Sequence, residues 1–269
     1  MRQLPLSELN AMKTQEQAET CHPRFEQETA RLCMIEHFQL GVRNLRIAAV
    51  ADVHSPKFLL EFRNSLSKLE SPDLILLAGD IVNFGKAVEY RKVIGAIDSE
   101  LNSSIPIVAC FGNEEFAAIR NDILGITKDR VTFLDDESVT FNHGHSRLGI
   151  VGTHASFQGY REIDDADSAD IRKALKSRAR RLSKTLKDVA RKVDNIILLM
   201  HYSPLLENVN ESAADSFSWW ISQATESIQP DLVIHGHVHN PMKTNARIGQ
   251  TRVFNVAFPA RGEVTQIIL

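Results

Sequence analysis

The chain has 269 residues, 31 of them Lys or Arg and 34 Asp or Glu, for a formal net charge of −3. This length suits one large α/β domain or two small ones. The slight acidity excludes an overall cationic field that would draw in nucleic acid or an anionic membrane, so a phosphate-bearing partner must be met locally. Three cysteines, Cys21, Cys33 and Cys110, follow no paired spacing; a disulfide framework and a thiolate zinc site are both disfavoured, and a reducing cytoplasm is the expected compartment.

The opening MRQLPLSELNAMK lacks the charged and apolar regions of a signal peptide, and no apolar run is long enough to span a bilayer, so no membrane partner is expected. Residues 1–44 are rich in Gln and Glu and read as an N-terminal extension, helical or disordered, ahead of a domain over 45–269. From Leu45 onward, short runs of Ile, Val and Leu alternate with helical patterns, which predicts a layered α/β fold. Strands are predicted over 45–51, 73–78, 105–111, 131–134, 138–142, 147–152, 195–200, 231–235, 252–257 and 264–268. Helices are predicted over 57–70, 85–101, 114–124, 168–193 and 214–228. In the first of these, Phe58, Leu59, Phe62, Leu66 and Leu69 recur at three- and four-residue steps and make one buried stripe.

The ends of the strands carry the chemistry. In order they deliver Asp52-Val53-His54, Gly79-Asp80, Gly112-Asn113, His201, and Gly236-His237-Val238-His239. Side chains two apart in an extended segment point the same way, so Asp52 with His54, and His237 with His239, are each expected to converge on one point. Carboxylate, amide and imidazole without sulfur suit borderline divalent ions, such as Mn, Fe or Zn, better than Ca or Cu(I). Seven donors are too many for one tetrahedral ion; two ions that share Asp80 each receive four.

This series, D-x-H, G-D, G-N, H and G-H-x-H, resembles the calcineurin-like metallophosphoesterases over about residues 45 to 269. The resemblance implies a four-layer α/β/β/α sandwich. It places Asp52, His54, Asp80 and His239 on one ion, and Asp80, Asn113, His201 and His237 on the second. The cofactors it implies are two divalent metal ions, Mn first, with Fe, Zn, Co or Ni as alternatives. The implied activity is hydrolysis of a phosphate ester, diester or monoester, by attack of metal-bound hydroxide on a phosphorylated small molecule. The C-terminal NVAFPARGEV and the GNEE stretch are similar to archaeal members of unassigned substrate. One position departs from the pattern. Where the family has the histidine that protonates the leaving oxygen, this chain has Glu114, and Glu115 takes the place of the following acid. A carboxylate beside two cations is a poor proton donor. Asp80, Asn113 and Glu114 are thus carried as the catalytic set, with the role of Glu114, as acid or otherwise, left open.

Other features read as structural. His143 and His145 lie in a hairpin turn, His22 is given no role, and His37 and His235 are structural. His154, at the end of LGIVG, and Arg261, near a predicted β-turn, are left out of the site, and Cys110 reads as a small buried residue. Of Trp219 and Trp220, one is expected in the core and the other partly exposed. The segment 168–193 carries Ile171, Leu175, Leu182, Leu186, Val189 and Val193 on one face and ten Lys and Arg elsewhere. It is read as a sheet-packing helix with a solvated basic face. Two alternatives stay open: a nuclease that tracks phosphates along this helix, and a non-catalytic scaffold on the same fold. Oligomeric state is not legible.

Overall fold

The structure, a computed structural model, describes residues 44–154, 168–205 and 218–269. The reading of the N-terminal extension, with Cys21, His22, Cys33 and His37, lies outside the described residues. Two sheets form the centre. The first has five strands in the order β11 (Thr265–Ile268), β1 (Arg46–Val50), β2 (Leu74–Ala78), β3 (Ile107–Cys110), β4 (Val131–Phe133). Strands β1 to β4 run parallel and β11 is antiparallel. The second has six, in the order β5 (Glu137–His143), β6 (Ser146–Thr153), β7 (Asn195–Met200), β8 (Leu232–His235), β10 (Thr251–Asn255), β9 (Asn245–Ile248). Here β6, β7, β8 and β10 are parallel, flanked by antiparallel β5 and β9.

Alternation along each strand assigns its two faces. Ile47, Ala49, Leu74 and Leu76 of the first sheet share a buried cluster with Ile150, Ile197, Leu199 and Ile234 of the second, so the sheets pack face to face. The intervening residues of the first sheet, among them Ala48, Val50, Ile75 and Leu77, turn outward. They meet Phe62 and Leu66 of α1 (Leu59–Leu66) and Val93 and Ile97 of α2 (Glu89–Glu100). Likewise Val151, Leu198 and Val233 meet Leu175, Leu182 and Leu186 of α4 (Ser168–Ala190) and Trp220 and Ile221 of α5 (Trp219–Thr225). The architecture is the expected four-layer α/β/β/α sandwich. Its inner strands read as continuous apolar runs because both of their faces are covered.

The differences from expectation have local causes. The helix predicted over 114–124 begins only at a 3-10 turn, Ala117–Ile119, and continues as α3 (Arg120–Thr127), because Glu115 spends its side chain elsewhere. Strand β9 is an unforeseen edge strand, and α6 (Phe258–Arg261) is an unforeseen short turn of helix. Arg261 is not on a β-turn: it ends α6 and donates from Nε to the Asn255 carbonyl at 2.8 Å and from Nη2 to the Thr244 carbonyl at 3.1 Å. Trp220 is core and Trp219 is exposed, Cys110 is buried, and the β5–β6 hairpin turns at Gly144 and His145. Among the described residues no helix is long and apolar enough to cross a membrane.

Candidate metal centre

All seven predicted donors come together at one edge of the sandwich, just beyond the C-terminal ends of β1, β2, β3, β7 and β8. The backbone makes this possible by leaving the extended region. Asp52 (φ 57°), His54 (44°), Asp80 (52°) and His237 (69°) are all left-handed, a conformation that costs an L-residue free energy and concentrates at functional sites. Gly79, at φ 82°, lets two loops cross: a Cβ there would stand 2.6 Å from the Gly112 amide nitrogen and 2.8 Å from His201 Nδ1.

Two donor groups result. In the first, Asp52 Oδ1 lies 2.9 Å from His239 Nε2 and 3.6 Å from His54 Nε2, and the two imidazole nitrogens are 3.4 Å apart. In the second, Asn113 Oδ1 lies 3.1 Å from His201 Nε2 and 3.0 Å from His237 Nδ1, while Asp80 Oδ2 is 3.4 Å from His201 Nε2. Asp80 joins the groups, since Asp52, Asp80 and His201 each offer an atom within 4.8 Å of the others. Donors bound at 2.0–2.2 Å to a common cation stand about 3.0–3.5 Å from each other. These separations fit such a cation. The expectation that His237 and His239 converge is corrected: His237 turns to Asn113 and His239 to Asp52, because the left-handed φ of His237 breaks the strand alternation.

The electrostatics agree. Burial alone would lower His201, yet the Asp80 carboxylate raises it to about 9. Burial also opposes protonation of His54, and its hydrogen bond to Asp52 outweighs that and raises it. Asp52 is raised by burial but carried well below the usual carboxylate range by His239 and His54. Burial and the neighbouring His201 lower His237, so the negative potential that a cation would answer is centred on the Asp52 and Asp80 carboxylates beside His54 and His201.

Around the donors stands a frame that sequence reasoning missed. Glu115 is fully buried, and its carboxylate accepts four backbone N–H groups: Asp80 at 2.8 Å and Gly112 at 2.7 Å on Oε2, Ile81 at 2.7 Å and Val82 at 3.2 Å on Oε1. Burial and the Asp80 charge push it up to about 7 against the N–H donors of Gly112 and Val82. It ties the loop after β2 to the loop after β3 and so holds the backbone from which Asp80 and Asn113 project. The signal was a second acid after Gly-Asn, legible only as a position in a pattern.

Glu114 has a different task. Its N–H donates to Asp80 Oδ1 at 2.7 Å, and its Oε2 accepts the Phe84 N–H at 2.6 Å. His235 is buried beside the centre, held near 4 by that burial, with Nδ1 2.9 Å from the Gly236 carbonyl. His154 pairs with Asp135 at 3.0 Å, consistent with its structural reading. The basic face of α4 is not wholly solvated as expected. Arg178 is buried and pairs with Asp135 at 2.7 Å and Asp136 at 3.0 Å, and Arg181 reaches Asp136 at 3.1 Å, because the loop after β4 brings both acids under the helix.

Comparison with known proteins agrees with this geometry. The family model described as calcineurin-like phosphoesterase matches residues 45–241, more than half of the chain. Phosphodiesterase YaeI of Escherichia coli (strain K12) is 26% identical over 142 residues, covering 50% of this chain and 52% of the relative. The chain thus matches about half the length of that curated protein. Among solved structures, TT1561 of Thermus thermophilus superposes with a TM-score of 0.54 at 14% identity, over 84% of this chain and 99% of the other. A 5'-nucleotidase precursor from the same organism gives 0.50 at 15% identity, over 84% and 54%. At these identities the structural likeness speaks to the fold, and the family match carries the classification. With strand-end donors in the family's order and a sandwich of the family's layers, the chain belongs to the calcineurin-like phosphoesterases, a family of metal-dependent phosphoesterases.

Proposed function

We propose that this protein is a dinuclear metal-dependent hydrolase of phosphate esters. Asp52, His54, Asp80 and His239 hold one divalent cation; Asp80, Asn113, His201 and His237 hold the second. The observation that carries this reading is the spacing of the donor atoms, 2.9–3.6 Å among Asp52, His54 and His239 and 3.0–3.4 Å along the contacts that link His237, Asn113, His201 and Asp80, with Asp80 within 4.8 Å of Asp52. Bound there, the cations would activate a water and neutralise charge on the phosphoryl oxygens. Manganese is the first candidate, and Fe, Zn, Co and Ni suit the same donors. Loading purified protein with each metal and assaying phosphomonoesters and phosphodiesters tests the reading. A protein that binds none of these ions overturns it.

The chain offers no histidine at the acid's position, and one oxygen of Glu114 is already committed as an acceptor to Phe84. The leaving oxygen is therefore expected to depart largely without a proton. Rates should fall steeply as leaving-group pKa rises, with aryl esters cleaved at least about 100-fold faster than alkyl esters. Glu114→Gln, which keeps a carbonyl acceptor, should leave that slope unchanged. A flat slope in the wild type that steepens in Glu114→Gln, at constant metal content, would identify Glu114 as the acid.

The nuclease alternative rests on the basic residues of α4, of which the buried Arg178 and the exposed Arg181 are already engaged by acids. Neutralising the exposed Lys173, Arg180, Lys184 and Lys187 is expected to change turnover of a small phosphodiester less than about twofold. Salt-sensitive binding of DNA or RNA that this change abolishes would put a nuclease in place of a small-molecule enzyme.

A further inference from the structure

Residues 81 and 82 are buried, and the chain then rises into the turn Asn83-Phe84-Gly85 beside the metal centre. Phe84 is 70% exposed at φ 48°. Single exposed apolar residues are ordinary, so exposure alone argues nothing. A bulky L-residue in the left-handed region is an outlier, however, and a turn of this shape takes glycine without strain. The strain here returns nothing to the core, because the ring is presented to solvent.

The conformation is also held. Glu114, adjacent in sequence to Asn113 and bonded through its N–H to Asp80, accepts the Phe84 N–H on its side chain and the Gly85 N–H on its carbonyl at 3.1 Å. A second aromatic ring, Phe116, is 47% exposed and lies across Gly85, where a Cβ would approach its Cδ2 to 2.7 Å. Two exposed aromatic side chains thus sit on the two loops that carry Asp80 and Asn113, and the turn of the first is clamped by Glu114, the residue that departs from the family pattern.

We infer that Phe84, presented by Glu114 and flanked by Phe116, is a platform for an aromatic or other planar apolar group of the phosphoester. This rests on the phosphoester reading and narrows it to esters that carry such a group. Glu114 is then a positioning residue that acts through Phe84. Aromatic stacking and apolar burial both reward a flat ring laid on the exposed phenyl face, while a phosphonate group engages the metal centre whatever it is attached to.

The test uses two non-hydrolysable probes, phenylphosphonate and methylphosphonate, titrated calorimetrically into manganese-loaded protein. Wild type is expected to bind the phenyl compound about tenfold more tightly than the methyl compound. In Phe84→Ala the ratio should approach one with methylphosphonate affinity unchanged, and Phe84→Tyr, which keeps the ring, should retain the preference. A ratio near one in wild type, or an unchanged preference in Phe84→Ala, overturns the platform and leaves the phosphoester reading intact. Equal loss of both ligands in Phe84→Ala makes Phe84 a support of the loop and likewise overturns it. Failure of wild type to bind either phosphonate overturns both readings.

Discussion

Asp80→Ala is expected to reduce bound divalent cation from two per chain to none, and phosphoester turnover by about 10³-fold or more. Asp80 is the carboxylate common to the two donor groups, close to Asp52 on one side and 3.4 Å from His201 on the other. Without it each group keeps three donors and the buried charge that balanced His201 is gone. His54→Ala provides the contrast: it removes a donor from the first group alone and should spare the second ion. Metal analysis of the dialysed proteins, alongside kcat/KM on an aryl phosphodiester, reads both effects, and circular dichroism confirms the fold. A variant at position 80 that retains two ions would remove the shared role from Asp80.

The second large effect is on stability. Glu115→Gln is nearly isosteric, yet it is expected to cost about 2–4 kcal/mol, measured by urea unfolding of the metal-free protein. Each carboxylate oxygen accepts two N–H groups. Whichever way the amide is turned, its NH₂ faces two donors and leaves them unsatisfied in a buried place. Glu115→Ala, which abandons all four, should cost about 3–5 kcal/mol. Metal affinity should weaken in both, because the loops of Asp80 and Asn113 lose their common tie. A change below about 0.5 kcal/mol in Glu115→Gln would mean that the four N–H groups find other partners.

These two positions differ in how visible they were in the sequence. Asp80 stood out because Gly-Asp follows a fully apolar run, and the inner strands were legible because strands covered on both faces carry no polar interruption. The seven candidate donors were singled out by the same reasoning, since each follows such a run. Glu115 was not, because its partners are main-chain N–H groups, which nearly every residue has and no pattern marks. The divergence of His237 and His239 was hidden for a related reason: alternation assumes an extended backbone, and the left-handed turn at His237 is a property of the crowded loop. Strand β9 escaped because Asn245-Ala-Arg-Ile offers only two half-buried apolar side chains, Ala246 and Ile248, at a sheet edge. Arg178 looked like its basic neighbours on α4 until Asp135 and Asp136, far away in sequence, were placed beneath it.

The donor set is also divided by the seam between the sheets. Asp52, His54, Asp80 and Asn113 follow strands of the first sheet; His201, His237 and His239 follow strands of the second. Along the chain this is a division in time as well as in space. As synthesis proceeds, both carboxylates and the amide emerge with a single imidazole, and the three remaining imidazoles arrive only with β7 and β8. A cation that meets the half-made chain finds an oxygen-rich fragment of each group and neither group whole. Neither group is whole until the strands that carry His201, His237 and His239 lie against the first sheet, so completion of the candidate site depends on the packing of the two sheets.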